Sequence, residues 1–207
     1  TEMRGAPRAM YGLINKSIQY FLSDNYGSAV WRQVAQRAGI GVEGFETMLR
    51  YPASSTDALL NAGADVLAKP RSALLEDIGA HMVTVEKVRR LLRFGGTDYC
   101  EFLFSLNELQ ERGRMALAGL QLPELQLVSE TGNRFVFEVH DALKGWGAVT
   151  AGLLRAMADD YGALAVIELL ADDGDDVERV QVLLLEQDFA TGRRFVLAAP
   201  GVEEVHG

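Results

Sequence analysis

Cysteine is almost absent from this chain. The single Cys100 excludes an internal disulfide framework and fits a reducing, cytoplasmic setting. Histidine is nearly as scarce. His81, His140 and His206 show neither zinc-ligand spacing nor the partners of a nucleophilic triad. No apolar run approaches the roughly 18 residues of a membrane span. The opening TEMRGAPRAM is too polar for a signal peptide, so residues 1–9 are expected to be a disordered lead. Positive charge is also short: Lys plus Arg number 20 against 29 Asp plus Glu, for a net charge of −9. That balance argues against nucleic acid or an anionic membrane as a general partner, since phosphate binding needs clustered cations. Phosphate loops are missing too. Gly95-Gly96 reads as a helix break, with no Gly-x-Gly-x-x-Gly or Gly-Lys-Ser/Thr around it. The acidic stretch at 172–176 lacks the length and the distal glutamate of a calcium loop and reads as a solvated turn. No constellation argues for an enzyme.

What is present is ordinary globular material: 207 residues, 48% hydrophobic and 24% charged, enough for one domain with one or two lobes. Helical periodicity runs over 10–38 through Leu13, Ile14, Ile18, Phe21, Leu22, Val30, Trp31 and Val34. The cluster Asp24-Asn25-Tyr26-Gly27-Ser28 divides it into two helices. A third helix is expected over 55–68, capped by Ser55 or Thr56. A fourth follows over 73–83, capped by Ser72 after Pro70. Residues 84–93 continue helically with Lys87, Arg89, Arg90 and Arg93 expected in solvent. After Gly119 the period changes to two. Residues 122–128 and then Phe135, Phe137 and Val139 alternate as strands around a Gly132-Asn133 turn. A helix returns over 142–161, and two more strands are expected at 164–170 and 177–185. Helices, two strands, a helix and two strands make an α+β chain with an antiparallel sheet. Residues 188–207 are expected to form a C-terminal extension with a short strand at 194–197.

The most informative segment is 91–114. It reads as a helix after the Gly95-Gly96 break, with Thr97 as its cap. Tyr99, Leu103, Leu106 and Gln110 fall on one face, so Gln110 places an amide on an apolar stripe. The run Phe102-Leu103-Phe104-Ser105-Leu106-Asn107-Glu108-Leu109-Gln110 resembles the proximal helix of the haem-nitric oxide/oxygen binding (H-NOX) family. That family's sequence runs roughly FL-x-x-L-x-x-L-H, and its terminal histidine is the protein ligand to haem iron. Glutamine stands in that place here. Met10-Tyr11-Gly12-Leu13-Ile14-Asn15-Lys16, Asn25-Tyr26-Gly27 and Val30-Trp31 are similar in order and spacing to the family's N-terminal opening.

The resemblance implies an H-NOX-like domain over 10–187, with a helical lobe at 10–68 and an α/β lobe at 69–187 whose helices pack on a four-stranded antiparallel sheet. It also marks where a cofactor would sit: Gln110 at the axial position, Pro123 under the ring, and Ile14, Met82 and Leu106 as further contacts, with Met82 near the family's distal wall. The family's propionate cradle, Tyr-x-Ser-x-Arg, falls on Phe137, Val139 and Asp141, and all three donors are missing. A primary amide is a weak donor to iron, and an aspartate repels a propionate. The expectation is therefore a sensory module that does not hold haem in the standard way. It would act through a signalling partner such as a histidine kinase or cyclase, or through a small apolar ligand. The alternative is a haem b sensor with an unusual axial ligand, for which His81 is the histidine to consider, with Cys100 a remoter choice.

Overall fold

The computed structural model describes residues 9–116, 122–141, 144–171, 177–190 and 192. The stretches at 172–176 and 194–197 lie outside the described residues. Strand β1 (Ala9–Tyr11) pairs antiparallel with β2 (Arg50–Pro52), a small sheet that the sequence pattern does not announce. Helix α1 (Gly12–Ala38) is two helices meeting at Gly27, whose φ of 86° and ψ of 161° are not helical. A glycine tolerates that conformation without a Cβ clash. Two residues earlier, the Asn25 side-chain amide donates to the Phe21 carbonyl at 2.9 Å and serves one of the acceptors left at the end of the first half.

Helices α2 (Ala53–Leu67) and α3 (Arg71–Met82) both start directly after a proline, Pro52 and Pro70, with φ of −57° and −56°. Proline fixes φ near helical values, and its missing N–H is no loss where the helix has no partner for it. These starts correct the expected serine and threonine caps. The Thr56 hydroxyl is buried and donates instead to Asn15 Oδ1 at 2.7 Å, tying α2 to α1.

Helix α4 (Glu86–Arg93) also departs from expectation. Lys87 and Arg90 are exposed, but Arg89 and Arg93 turn inward. Their Nε atoms lie 2.9 Å and 3.3 Å from the carboxylate of Asp160, which is fully buried. The Arg93 guanidinium also lies 4.0 Å from the centre of the Tyr161 ring.

The segment that carries the family resemblance is not one continuous α-helix. Helix α5 (Tyr99–Ser105) passes through a tighter 3-10 turn at Leu106–Glu108 into α6 (Leu109–Ala116). Its cap is Asp98 rather than Thr97. The Asp98 carboxylate accepts from the Glu101 N–H at 2.9 Å, and the Glu101 carboxylate reaches back to the N–H and hydroxyl of Thr97, both at 2.8 Å. This reciprocal exchange resembles a capping box. The bonds to Thr97, the backbone one first, hold the Glu101 carboxyl below its ordinary pKa.

Strands β3 (Glu124–Thr131), β4 (Arg134–His140), β5 (Leu164–Leu169) and β6 (Glu178–Glu186) form one antiparallel sheet in the order β3-β4-β6-β5. The Gly132-Asn133 turn joins β3 to β4 with Gly132 at φ 64°. Helix α7 (Trp146–Tyr161) lies between the two hairpins in sequence. The α+β reading and its order of elements hold.

Two apolar cores result. The larger packs Phe135, Phe137, Val139, Val180 and Val182 of the sheet against Tyr99, Phe102 and Leu106 and against Leu154 and Met157 of α7. The smaller joins Phe21, Leu22 and Val34 of α1, Leu59 and Leu60 of α2, and Leu74, Leu75 and Ile78 of α3 to the start of α7 at Ala148 and Val149. Helix α3 meets α7 at a crossing that two glycines make close. A Cβ on Gly79 would lie 1.9 Å from the Val149 carbonyl oxygen, and one on Gly152 would lie 1.9 Å from that of Glu76. Among the described residues no helix is long and apolar enough to cross a membrane.

Candidate functional site

The site follows from this crossing. Where α1, α2 and α3 converge on the start of α7 they leave an apolar cavity of about 80 Å³. Helix α1 contributes Ile14 and Ile18, α2 contributes Leu60, α3 contributes Leu75, Ile78 and Met82, and α7 contributes Trp146 and Val149. Leu122 closes one side. The charged residues of the lining, Asp57, Arg71 and Lys144, are exposed or partly exposed. Arg71 is engaged, donating to Asp57 and to Asn61, each at 2.6 Å.

The wall contributed by α7 is pinned at its N-terminus. The Glu178 carboxylate accepts from the backbone N–H groups of Gly145, at 3.0 and 3.1 Å, and Gly147, at 3.1 Å. An anion there satisfies unpaired donors and suits the positive end of the helix. Gly145 sits at φ 110°, and a Cβ would meet Leu75 at 2.7 Å, so a glycine lets the chain enter the helix against the cavity wall.

Of the residues singled out from sequence, Ile14 and Met82 line this cavity. Leu106 does not; it is fully buried in the larger core. Gln110 is partly buried beside the wall rather than in it. Its amide nitrogen donates to the Leu122 carbonyl at 3.1 Å, and its oxygen accepts from Arg114 at 2.7 Å. Both ends of the amide are therefore in use, fastening α6 to the residue that closes the cavity. Pro123 is buried directly before β3. Phe137 and Val139 are packed in the larger core, at 0% and 2% exposure, and Asp141 is exposed. The three positions matched to the propionate cradle thus do not converge on one pocket.

The alternative ligands also lie off the cavity. His81 packs edge-on to Phe21 at 5.5 Å, with Nδ1 3.2 Å from the Asn25 amide nitrogen and Nε2 3.9 Å from Asp24. Cys100 is partly buried against the larger core. His140 lies 3.1 Å from Glu138. Among the described residues no group of three or more His, Cys, Asp or Glu could hold a metal ion. Sequence reasoning missed Leu75, Ile78, Trp146 and Val149 as lining. Their helical spacing marks them as core faces, and nothing in that spacing says the faces stop short of contact.

Comparison with known proteins agrees with this architecture. Solved structures similar to this chain include the Fe(II) unliganded H-NOX protein from K. algicida, with a TM-score of 0.72 and 18% identity, covering 86% of this chain and 97% of that one. A mutant H-NOX protein from S. oneidensis aligns with a TM-score of 0.73 at 14% identity over the same shares. Among sequences, the chain is 25% identical over 170 residues to the soluble guanylate cyclase gcy-31 of Caenorhabditis elegans, covering 80% of this chain and 24% of that protein. It is 20% identical over 171 residues to soluble guanylate cyclase 89Da of Drosophila melanogaster, covering 81% and 26%. The chain spans about a quarter of the length of these cyclases. The model of the Haem-NO-binding family matches residues 11–169. With that match over most of its length and the fold to go with it, the chain belongs to the Haem-NO-binding (HNOB) family.

Proposed function

We propose that this domain is a sensory and regulatory module that does not bind haem in the standard mode. It would transmit instead through a signalling partner, in the cytoplasm, with a histidine kinase or a cyclase as the kind of partner expected. The observation that carries the reading is Gln110. The side chain at the axial position holds the Leu122 carbonyl and Arg114, and freeing it would leave a partly buried carbonyl without its donor. Supporting it, Phe137 and Val139 fill the larger core with apolar volume, and Asp141 offers a propionate repulsion. The residues do not fit haem as the family is expected to hold it. His81 does not favour the haem b alternative, because its ring faces Phe21, Asn25 and Asp24 and it is not part of the cavity wall.

Signalling in this reading uses the two cores. Helix α7 joins them: Trp146 and Val149 line the cavity and Leu154 and Met157 sit in the larger core, so a change in the cavity's packing reaches both. The test is an absorption spectrum of protein produced with haem precursor, repeated after adding free haem and nitric oxide. A flat spectrum, or only loose binding without fixed stoichiometry, is expected both for the natural chain and for Gln110→His. A sharp Soret band at one haem per chain that shifts with nitric oxide would sink the reading. Such a band in Gln110→His alone would place the whole loss of haem on one residue and refute the argument from Phe137, Val139 and Asp141.

A further inference from the structure

We propose that the cavity between α1, α2, α3 and α7 is a binding site for one small, neutral, apolar molecule, of the size of a single aromatic ring or a short hydrocarbon. The inference rests on the haem-free reading above and names the ligand class for the same domain. Ile14, Ile18, Leu60, Ile78, Met82 and Val149 form the body of the wall. At about 80 Å³, the space exceeds the ~10–15 Å³ that a cavity needs to admit one water. Water needs two to four polar partners; of the two hydroxyl residues in the lining, Thr56 already donates to Asn15 and Ser17 has a partner of its own, and the aliphatic side chains provide none. Apolar pockets of this kind take apolar guests.

Two features keep the cavity from closing on itself. The Gly79 and Gly152 contacts bring the backbones of α3 and α7 to a fixed approach. The Glu178 carboxylate anchors the first turn of α7. The walls are therefore mounted on backbone that is already in contact elsewhere, and an occupant fills volume that the side chains cannot reach.

The apolar wall selects neutral molecules, because a carboxylate entering it would give up its hydration without a partner there; the edge carries both signs, with Asp57 beside Arg71 and Lys144. A ligand carboxylate would have to displace Asp57 and Asn61 from Arg71, where both bonds are 2.6 Å, and Asp57 itself would repel it.

The probe is toluene, with benzoate as its charged counterpart, added to the full chain and followed by the two indole N–H resonances. Trp146 lines the cavity, whereas Trp31 is buried in the smaller core, with its indole N–H donated to the Val42 carbonyl. Saturable movement of the Trp146 signal with toluene, no saturable movement of Trp31, and a raised melting temperature are expected. Benzoate is expected to bind at least about tenfold more weakly. Ile78→Phe should fill the space and remove toluene binding. Should that variant fail to fold, Val149→Ile adds one methylene from the α7 wall and should weaken toluene several-fold. Absence of saturation, benzoate binding as tight as toluene, or toluene binding unchanged in the filled variants would overturn the proposal. A haem titration of the same sample separates the two readings. Failure with toluene beside a flat haem spectrum sinks only the ligand class, while a stoichiometric Soret band sinks the haem-free reading itself.

Discussion

Gly152→Ala tests the crossing that positions the site. The added Cβ would lie 1.9 Å from the Glu76 carbonyl oxygen, 2.6 Å from its carbonyl carbon and 2.8 Å from its Cα. Ordinary contact begins at 3.4 Å, so the shortfall to the oxygen is about 1.5 Å. The obstruction is backbone, which has no rotamer to change. Helices α3 and α7 must separate, and separation withdraws Leu75 and Ile78 from Val149. Overpacking of this kind costs about 1–3 kcal/mol, occasionally more. Alanine recovers up to about 1 kcal/mol of helix propensity over glycine. The net expectation is a loss of about 2 kcal/mol. Gly63→Ala is the control, since its Cβ would meet a movable leucine methyl, Leu74 Cδ2, at 3.2 Å. That variant should come within about 0.5 kcal/mol of the natural chain or gain slightly. Urea unfolding followed by helical circular dichroism and by tryptophan emission supplies both numbers. If Gly152→Ala is as stable as Gly63→Ala, with an unchanged slope, the close approach of α3 and α7 is wrong, and with it the account of the cavity wall.

Two further perturbations address other parts of the structure. Asp160→Asn keeps the shape but removes the buried counter-charge of Arg89 and Arg93. Breaking a buried pair costs about 3–5 kcal/mol. The lower end is expected, because both arginines keep other contacts; a loss under about 1 kcal/mol in equilibrium unfolding would show the pair to be solvated. Glu101 has a lowered folded-state pKa, so its contribution is present above the unfolded value, ordinarily 4.5, and is lost as pH falls through the lower folded value. Glu101→Gln should therefore flatten the fall in stability below about pH 4.5, and parallel curves for the two chains would refute the exchange with Thr97.

Periodicity alone placed most of the secondary structure. Val180, Val182 and Leu184 alternate inward as a strand must. The break at Gly27 was visible because glycine, asparagine and aspartate cluster there. Helix starts were less legible. Pro52 and Pro70 took the cap positions from Ser55 and Ser72, since a fixed φ initiates a helix without a side-chain bond. Gln110 could be placed on the proximal helix from sequence, but its two hydrogen bonds depend on Leu122, twelve residues on, and on Arg114 one turn along.

The sequence by itself determined the family and the order of elements, because these lie in local pattern and residue identity. Only the tertiary structure decided that Arg89 and Arg93 are turned inward, because their counter-charge Asp160 lies some 70 residues away. It likewise decided that Phe137 and Val139 serve the core instead of a pocket, and that a cavity remains beside Ile14 and Met82. Those outcomes depend on how closely helices from distant parts of the chain can approach, and that distance is set by two glycines meeting backbone across a crossing.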